Sequence, residues 1–100
     1  MKKLMTTAMG FALLAGAGWA ADDVTLQLKW VTQAPFAGSY VAQAKGYYEA
    51  EGLNVTIKPG GPDIAPEQVI AGGGADVIVD WMPAALAARE KGLALANIAQ

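Results

Sequence analysis

Two short stretches of the sequence combine aromatic side chains with amide or carboxylate groups. The first, "KWVTQAPFAGS", carries Trp30, Gln33 and Phe36, and the second, "VDWMPA", carries Asp80 and Trp81. Aromatic faces stack on planar rings, a glutamine amide offers a donor and an acceptor, and a carboxylate accepts from an amino group. Both stretches run into a proline, which is favoured in the first turn of a helix. Together they have the chemistry to bind a flat heterocycle.

Four strands are predicted to position these stretches. Each is rich in Val, Ile, Leu or Thr and is bounded by glycine, proline or polar residues, which is typical of strands. The third contains the uninterrupted apolar run Val77-Ile78-Val79, which favours a strand buried on both faces. The predicted strands cover residues 23–30, 53–59, 75–81 and 93–100.

Helices are predicted between the strands. Pro35 begins the first, and Gly46 is well placed to end it in a left-handed conformation. Tyr47 and Tyr48 add one more turn, which Gly52 stops, and both tyrosines are expected to pack between that turn and the next strand. Helices also begin at Pro66, running through Ala71, and at Pro83, ending before Gly92. On the first helix, one apolar face is formed by Phe36, Tyr40, Val41 and Ala44.

The order of these elements predicts the fold class. Strands and helices alternate without a hairpin signal, so we expect an α/β fold with a parallel sheet and right-handed crossovers. If the first strand is central, the strand order reverses between strands one and three, and ligands bind at the carboxyl ends of strands there. Amides at the start of the first helix suit an anionic group. The candidate ligand-binding residues are Trp30, Gln33, Phe36, Gly38, Ser39, Asp80, Trp81 and Met82.

Each of these residues also has a plainer interpretation. Trp30 is also compatible with a packing role, in which it caps the sheet edge or contacts a neighbouring lobe. Asp80 suits the start of a helix, where the dipole favours a negative charge. The glycine clusters at 60–62 and 72–74 lack the Lys and Ser/Thr of a phosphate loop and are interpreted as turns.

The composition excludes several classes of protein. The 100 residues contain no Cys and no His, which removes disulfides, thiolate nucleophiles, the commonest general base and the commonest metal ligands. The net charge is −2 and the lysines and arginines are scattered, so the sequence shows no basic patch that would bind nucleic acid. We therefore predict no catalytic residues, no metal and no cofactor.

The N-terminus is interpreted as a cleavable signal peptide over residues 1–20. Lys2 and Lys3 precede an uncharged run, and "GWA" followed by "ADD" places Gly18 and Ala20 at the positions that a signal peptidase reads. A membrane anchor is the alternative, since about 18 uncharged residues can just span a bilayer. The absence of a basic flank after the run favours export to the periplasm.

With these features in view, the chain resembles the NMT1/THI5-like exported solute receptors of ABC importers, which handle thiamine pyrimidine precursors, sulfonates and nitrate. The resemblance covers nearly all of the chain after residue 20. The stretches that carry it are "LKWVTQAPFAGSYVAQAKGYYEAEGLNVTIKPGG", "PEQVIAGGGADVIVDWMPAALAAREKG" and "NIAQ".

The resemblance implies a type II periplasmic-binding-protein-like fold with two lobes that close around a solute. It implies that residues 21–100 are the first part of lobe one, so we expect an N-terminal fragment of a longer, monomeric receptor that delivers its solute to an ABC permease. The match is strongest to the branch that binds thiamine pyrimidine precursors or related heterocycles such as riboflavin. In that branch the residues after the first strand stack on the ring, which implies this role for Trp30 and Phe36. The turn after the third strand faces the cleft there, which implies the same position for Asp80 and Trp81.

Three further functions compete with this interpretation. Sulfonate (including taurine) and nitrate receptors of the same family rely on small polar residues and helix amides, and the two aromatic turns argue against them. A related pyrimidine synthase uses pyridoxal phosphate, a His and a Cys-rich iron site, which this chain lacks. A sensory or scaffold module built on the same lobe is the third. We therefore expect a receptor and not an enzyme.

Overall fold

Among the described residues, a three-stranded parallel sheet forms the centre of the structure. The computed structural model describes residues 20–100, and the predicted signal peptide lies almost wholly outside them. The strand order is β2-β1-β3, so the first strand is central, as the position of the predicted site requires. The predicted α/β class with a parallel sheet flanked by helices is confirmed, and it fits the first part of a periplasmic-binding-protein-like lobe. The strands are β1 (Asp22–Gln27), β2 (Leu53–Lys58) and β3 (Val77–Ile78).

In the part of the chain that the structure describes, four α-helices connect and flank the strands. A 3-10 turn at Ala34–Phe36 leads directly into the first of them. Prolines open three of these segments, as predicted, because their fixed backbone angle suits a first helical turn. Within residues 20–100, no helix is both long and apolar enough to cross a membrane. The helices are α1 (Ala37–Ala44), α2 (Tyr47–Ala50), α3 (Pro66–Ala71) and α4 (Met82–Glu90).

Two glycines separate the elements between β1 and β2. Gly46 lies between α1 and α2 with a φ of 73°, and Gly52 lies between α2 and β2 with a φ of 76°. Side chains disfavour this left-handed region, so glycine is the residue that allows both turns. The predicted left-handed end at Gly46 and the stop at Gly52 are confirmed.

The predicted fourth strand is absent. Residues 93–100 form no strand, and the Leu95 N–H donates to the nearby Leu93 carbonyl at 3.0 Å. Ile98 is 78% exposed, and Leu93 and Leu95 are only half-buried. β3, the edge strand beside β1, pairs over only two residues and offers little edge to a further strand.

The expected burial of the third strand and of the helix faces is only partly correct. Residues 77–79 are half-buried because β3 is an edge strand with β1 on one side. On α1, Tyr40 is half-buried, whereas Val41 is 50% exposed. Tyr47 is 59% exposed and Tyr48 half-buried, since adjacent residues on a helix point about 100° apart and one tyrosine alone faces the sheet.

Gln27, the last residue of β1, fixes the end of the sheet from which the first candidate loop leaves. Its side chain is buried with the residue 3% exposed. The Nε2 atom lies 3.0–3.2 Å from three carbonyl oxygens, those of Leu28, Lys58 and Pro59. A buried amide that reaches both strands in this way ties β1 to the end of β2.

Gln27→Met should lower the free energy of unfolding by about 1–3 kcal/mol, because methionine fills a similar volume but removes the donor to the buried Leu28 carbonyl and the part-buried Pro59 carbonyl. The Lys58 carbonyl keeps the Leu28 N–H as its donor. Urea unfolding of the mature protein measures this. Gln43→Met is the matched control, since the exposed Gln43 amide donates only to the Val55 carbonyl and water can replace it. The control should change stability by no more than about 0.5 kcal/mol. Equal losses in the two variants would contradict the role given to Gln27.

Candidate functional site

The segments that follow β1 and β3 meet at one edge of the sheet. The strands are parallel neighbours, so their carboxyl ends lie side by side. The Val79 N–H donates to the Gln27 carbonyl at 2.9 Å, which extends this contact beyond β3. A cleft of about 420 Å³ opens there, within the usual range for small-molecule sites. It is lined by Lys29, Trp30, Gln33, Pro35, Phe36, Val79 and Trp81.

Four of the eight predicted binding residues line this cleft together. Trp30, Gln33 and Phe36 come from the segment after β1, and Trp81 comes from the segment after β3. The two tryptophans thus reach one cleft although 50 positions separate them in the sequence. Their contact with a ligand stays a prediction.

The other four predicted residues do not line the cleft. Gly38 and Ser39 lie in the first turn of α1, and Met82 is the first residue of α4 and is 43% exposed. Asp80 lies between the lining residues Val79 and Trp81, but its carboxylate turns to other partners. The lining of the cleft is mainly apolar and includes three aromatic side chains, and the contribution of the helix amides stays a prediction.

Asp80 forms an ion pair that is largely shielded from solvent. Its Oδ1 lies 2.9 Å from Lys29 Nζ, and the two side chains are 5% and 13% exposed, respectively. The same Oδ1 accepts from the Trp81 backbone N–H at 2.8 Å. Oδ2 is buried and has no hydrogen-bond partner among the described residues. The carboxylate of Asp80 therefore balances a cation that belongs to the protein itself.

Lys29 is a component of the site that sequence reasoning missed. Besides pairing with Asp80, its Nζ lies 5.0 Å from the centre of the Trp81 ring, within the range of a cation–π interaction. The register between β1 and β3 is the information that identifies Lys29 as the partner of Asp80. Gln27 pairs with Ile78, so continuing both chains by two residues places Lys29 opposite Asp80. Strand order and register have to be known before that pairing can be identified.

A hydrogen bond between the loop after β1 and α1 holds that loop in shape. The Thr32 Oγ1 and Tyr40 Oη atoms lie 3.1 Å apart, which links the segment after β1 to the middle of α1. Tyr40 does not line the cleft. Its contribution is to position the loop that carries Gln33 and Phe36.

Gly60 supports the same loop from the neighbouring segment. Its N–H donates to the Trp30 carbonyl at 2.9 Å. A Cβ atom at position 60 would lie 2.4 Å from the Leu28 carbonyl oxygen and 2.5 Å from the Lys29 carbonyl carbon. Both are backbone atoms that cannot rotate away. The glycine cluster at 60–62 is therefore a turn, as predicted, and also a close approach of two backbones beneath Trp30.

A second depression, of about 290 Å³, lies between α3 and α4. Half of its lining residues are alanines, and Glu67 and Lys91 are the charged ones. None of the predicted site residues lines it. The candidate site is accordingly the cleft at the carboxyl ends of β1 and β3.

Comparison with known proteins identifies the family. No curated protein and no solved structure gives a significant match to the chain. The model of the family described as NMT1/THI5 like matches residues 33–100, which include α1 to α4, two of the three strands and most of the cleft residues. Membership in this family indicates a broad role in binding small solutes. On this match, the chain belongs to the NMT1/THI5-like family.

Proposed function

We propose that the protein is the solute receptor of an ABC importer and binds a small planar heterocycle, such as a thiamine pyrimidine precursor or riboflavin. The observation that carries this proposal is the pair of tryptophans, Trp30 and Trp81, in one cleft with Phe36. Aromatic stacking contributes roughly 0.5–1.5 kcal/mol for each pair beyond simple burial. Gln33 adds a donor and an acceptor that suit the edge of a heterocycle.

The receptor performs no chemistry in this proposal. The solute is held between this lobe and a second lobe and is then delivered to the permease, with the receptor acting as a monomer. Closure of two lobes around a ligand is a common hinge motion, and it would complete a cleft that is open on this lobe. Residues 21–100 are then the first part of lobe one.

A sulfonate or nitrate receptor is the second candidate. The observation in its favour is Lys29, a cation in the wall of the cleft. Its charge is already balanced by Asp80 at 2.9 Å, which weakens its attraction for an anion. The heterocycle is therefore preferred.

A thermal-shift screen of the full-length mature protein separates these candidates. The panel contains a thiamine pyrimidine, riboflavin, taurine, an alkylsulfonate and nitrate. A ligand at 100 times its dissociation constant adds roughly 2.7 kcal/mol to the free energy of unfolding, which gives a readable shift. We expect a shift with a heterocycle. A thermal shift with sulfonate or nitrate alone would favour the second candidate, a sulfonate or nitrate receptor.

We also propose that the protein is exported to the periplasm after removal of residues 1–20. Mass spectrometry of protein recovered from the periplasmic fraction tests this. The expected mature N-terminus is Ala21, because Gly18 and Ala20 are the small residues at the cleavage positions. Recovery of uncleaved protein in the membrane fraction would support the anchor instead.

A further inference from the structure

Lys29 combines three features that the stacking of a heterocycle does not require. It is the charged side chain among the described residues that line the cleft. Its Nζ lies 2.9 Å from Asp80 Oδ1 and 5.0 Å from the centre of the Trp81 ring. The side chains of Lys29 and Asp80 are 13% and 5% exposed. Cation and carboxylate therefore form one unit that is shielded from water, and the Trp81 ring beside them is 64% exposed.

The charge of this unit decides which ligands the cleft accepts. Coulomb interactions are several times stronger in a shielded site than in bulk water. Lys29 alone would attract an anion, and Asp80 alone would attract a cation. Because the two are paired, a charged ligand would give up its hydration without gaining a counter-charge, which is costly. An uncharged ring has little hydration to lose.

We propose that Lys29 is a specificity-determining residue, which through its pair with Asp80 makes the cleft select uncharged planar ligands over charged ones. This inference rests on the proposed function, since it concerns the same cleft and the same class of ligand. Asp80 does not itself line the cleft, so it acts on a ligand through its pair with Lys29.

Calorimetric titration of the full-length mature protein with three matched probes tests the proposal. The probes are an aminopyrimidine, the same ring carrying a carboxylate and the same ring carrying a trimethylammonium group. The wild-type protein should bind the uncharged ring at least about 10-fold more tightly than either charged ring. Lys29→Met should shift the preference toward the cation, and Asp80→Asn should shift it toward the carboxylate, each by roughly 10-fold or more, as expected for a bond to a charged group.

Two further variants keep the test informative if a single change impairs folding. Lys29→Met combined with Asp80→Asn removes both charges and should restore the preference for the uncharged ring. Lys29→Arg keeps the positive charge and should keep the wild-type order. Lys45→Met is the matched control, because Lys45 is exposed at the end of α1, away from the cleft, and its loss should change no affinity by more than about 2-fold.

The outcomes separate this inference from the proposed function. If the wild-type protein binds the uncharged ring and Lys29→Met leaves the order of the three probes unchanged, the role of Lys29 is refuted and the heterocycle receptor stands. The role of Lys29 would also be refuted if the wild-type protein bound the carboxylate probe most tightly. If none of the three rings binds while taurine or nitrate does, the proposed function itself fails.

Discussion

Gly60→Ala should lower the free energy of unfolding by about 3 kcal/mol or more. The added Cβ would lie 2.4 Å from the Leu28 carbonyl oxygen and close to the Lys29 backbone, so the backbone itself has to move. Overpacking of this kind usually costs about 1–3 kcal/mol, and rigid neighbours place this site at the upper end. The Gly60 N–H also donates to the Trp30 carbonyl, so the same shift should loosen the cleft. Urea unfolding measures the loss.

Gly38→Ala is the matched control for this variant. A Cβ at position 38 meets no atom within 4 Å, and Gly38 lies in the first turn of α1. Alanine is the better helix former, so this change should raise stability by about 0.4–1 kcal/mol. If Gly60→Ala were as well tolerated as Gly38→Ala, the backbone approach beneath Trp30 would be wrong.

Lys29→Met should lower the free energy of unfolding by about 3–5 kcal/mol. Methionine fills much of the volume of the lysine stem, but it leaves the carboxylate of Asp80 buried without its cation. Removing one partner of a buried ion pair is costly for that reason, whereas removing both is much less so. Thermal or urea unfolding of the mature protein gives the value.

A double-mutant cycle isolates the pair from other effects of the substitution. Lys29→Met combined with Asp80→Asn should recover at least half of the stability lost in Lys29→Met, because no uncompensated charge remains. Lys45→Met, in an exposed position, should stay within about 0.5 kcal/mol of the wild type. Additive losses at positions 29 and 80 would show that the two side chains do not interact.

The boundaries that glycine and proline mark were largely predictable, whereas β1 ends at Gln27 and not at residue 30, and β3 covers Val77–Ile78 and not 75–81. Gly46 and Gly52 adopt the left-handed conformations that their positions suggested, and α3 begins at Pro66 as expected. These residues act through their own backbone geometry, which a single sequence reveals. The central position of β1 was a condition of the predicted site, which the alternation of strands and helices does not determine. With β1 central, Trp30 and Trp81 come to one edge.

The features that sequence reasoning missed depend on neighbours distant in the chain. In the sequence alone, Lys29 has the features of a solvated strand residue. Its pairing with Asp80 can be identified only from the strand register. In the sequence alone, Gly60 has the features of an ordinary turn residue. Only the structure shows that the Leu28 backbone lies against it. The segment 93–100 has strand composition, yet composition cannot supply the pairing edge that a strand needs.

The stacking of a heterocycle on Trp30 is the central claim, and one titration tests it most directly. Trp30→Ala in the full-length mature protein removes one aromatic wall of the cleft. Buried aromatic anchors of binding sites often contribute about 2 kcal/mol or more, so affinity for the responding heterocycle should fall roughly 30-fold or more. Tyr47→Ala is the matched control, because Tyr47 is 59% exposed on α2 and does not line the cleft.

The measurement is calorimetric titration of wild type, Trp30→Ala and Tyr47→Ala with the heterocycle that gives the largest thermal shift. We expect weak or absent binding in Trp30→Ala and wild-type affinity in Tyr47→Ala. Wild-type affinity in Trp30→Ala would contradict the claim, make Trp30 a packing residue and place the solute elsewhere on the protein.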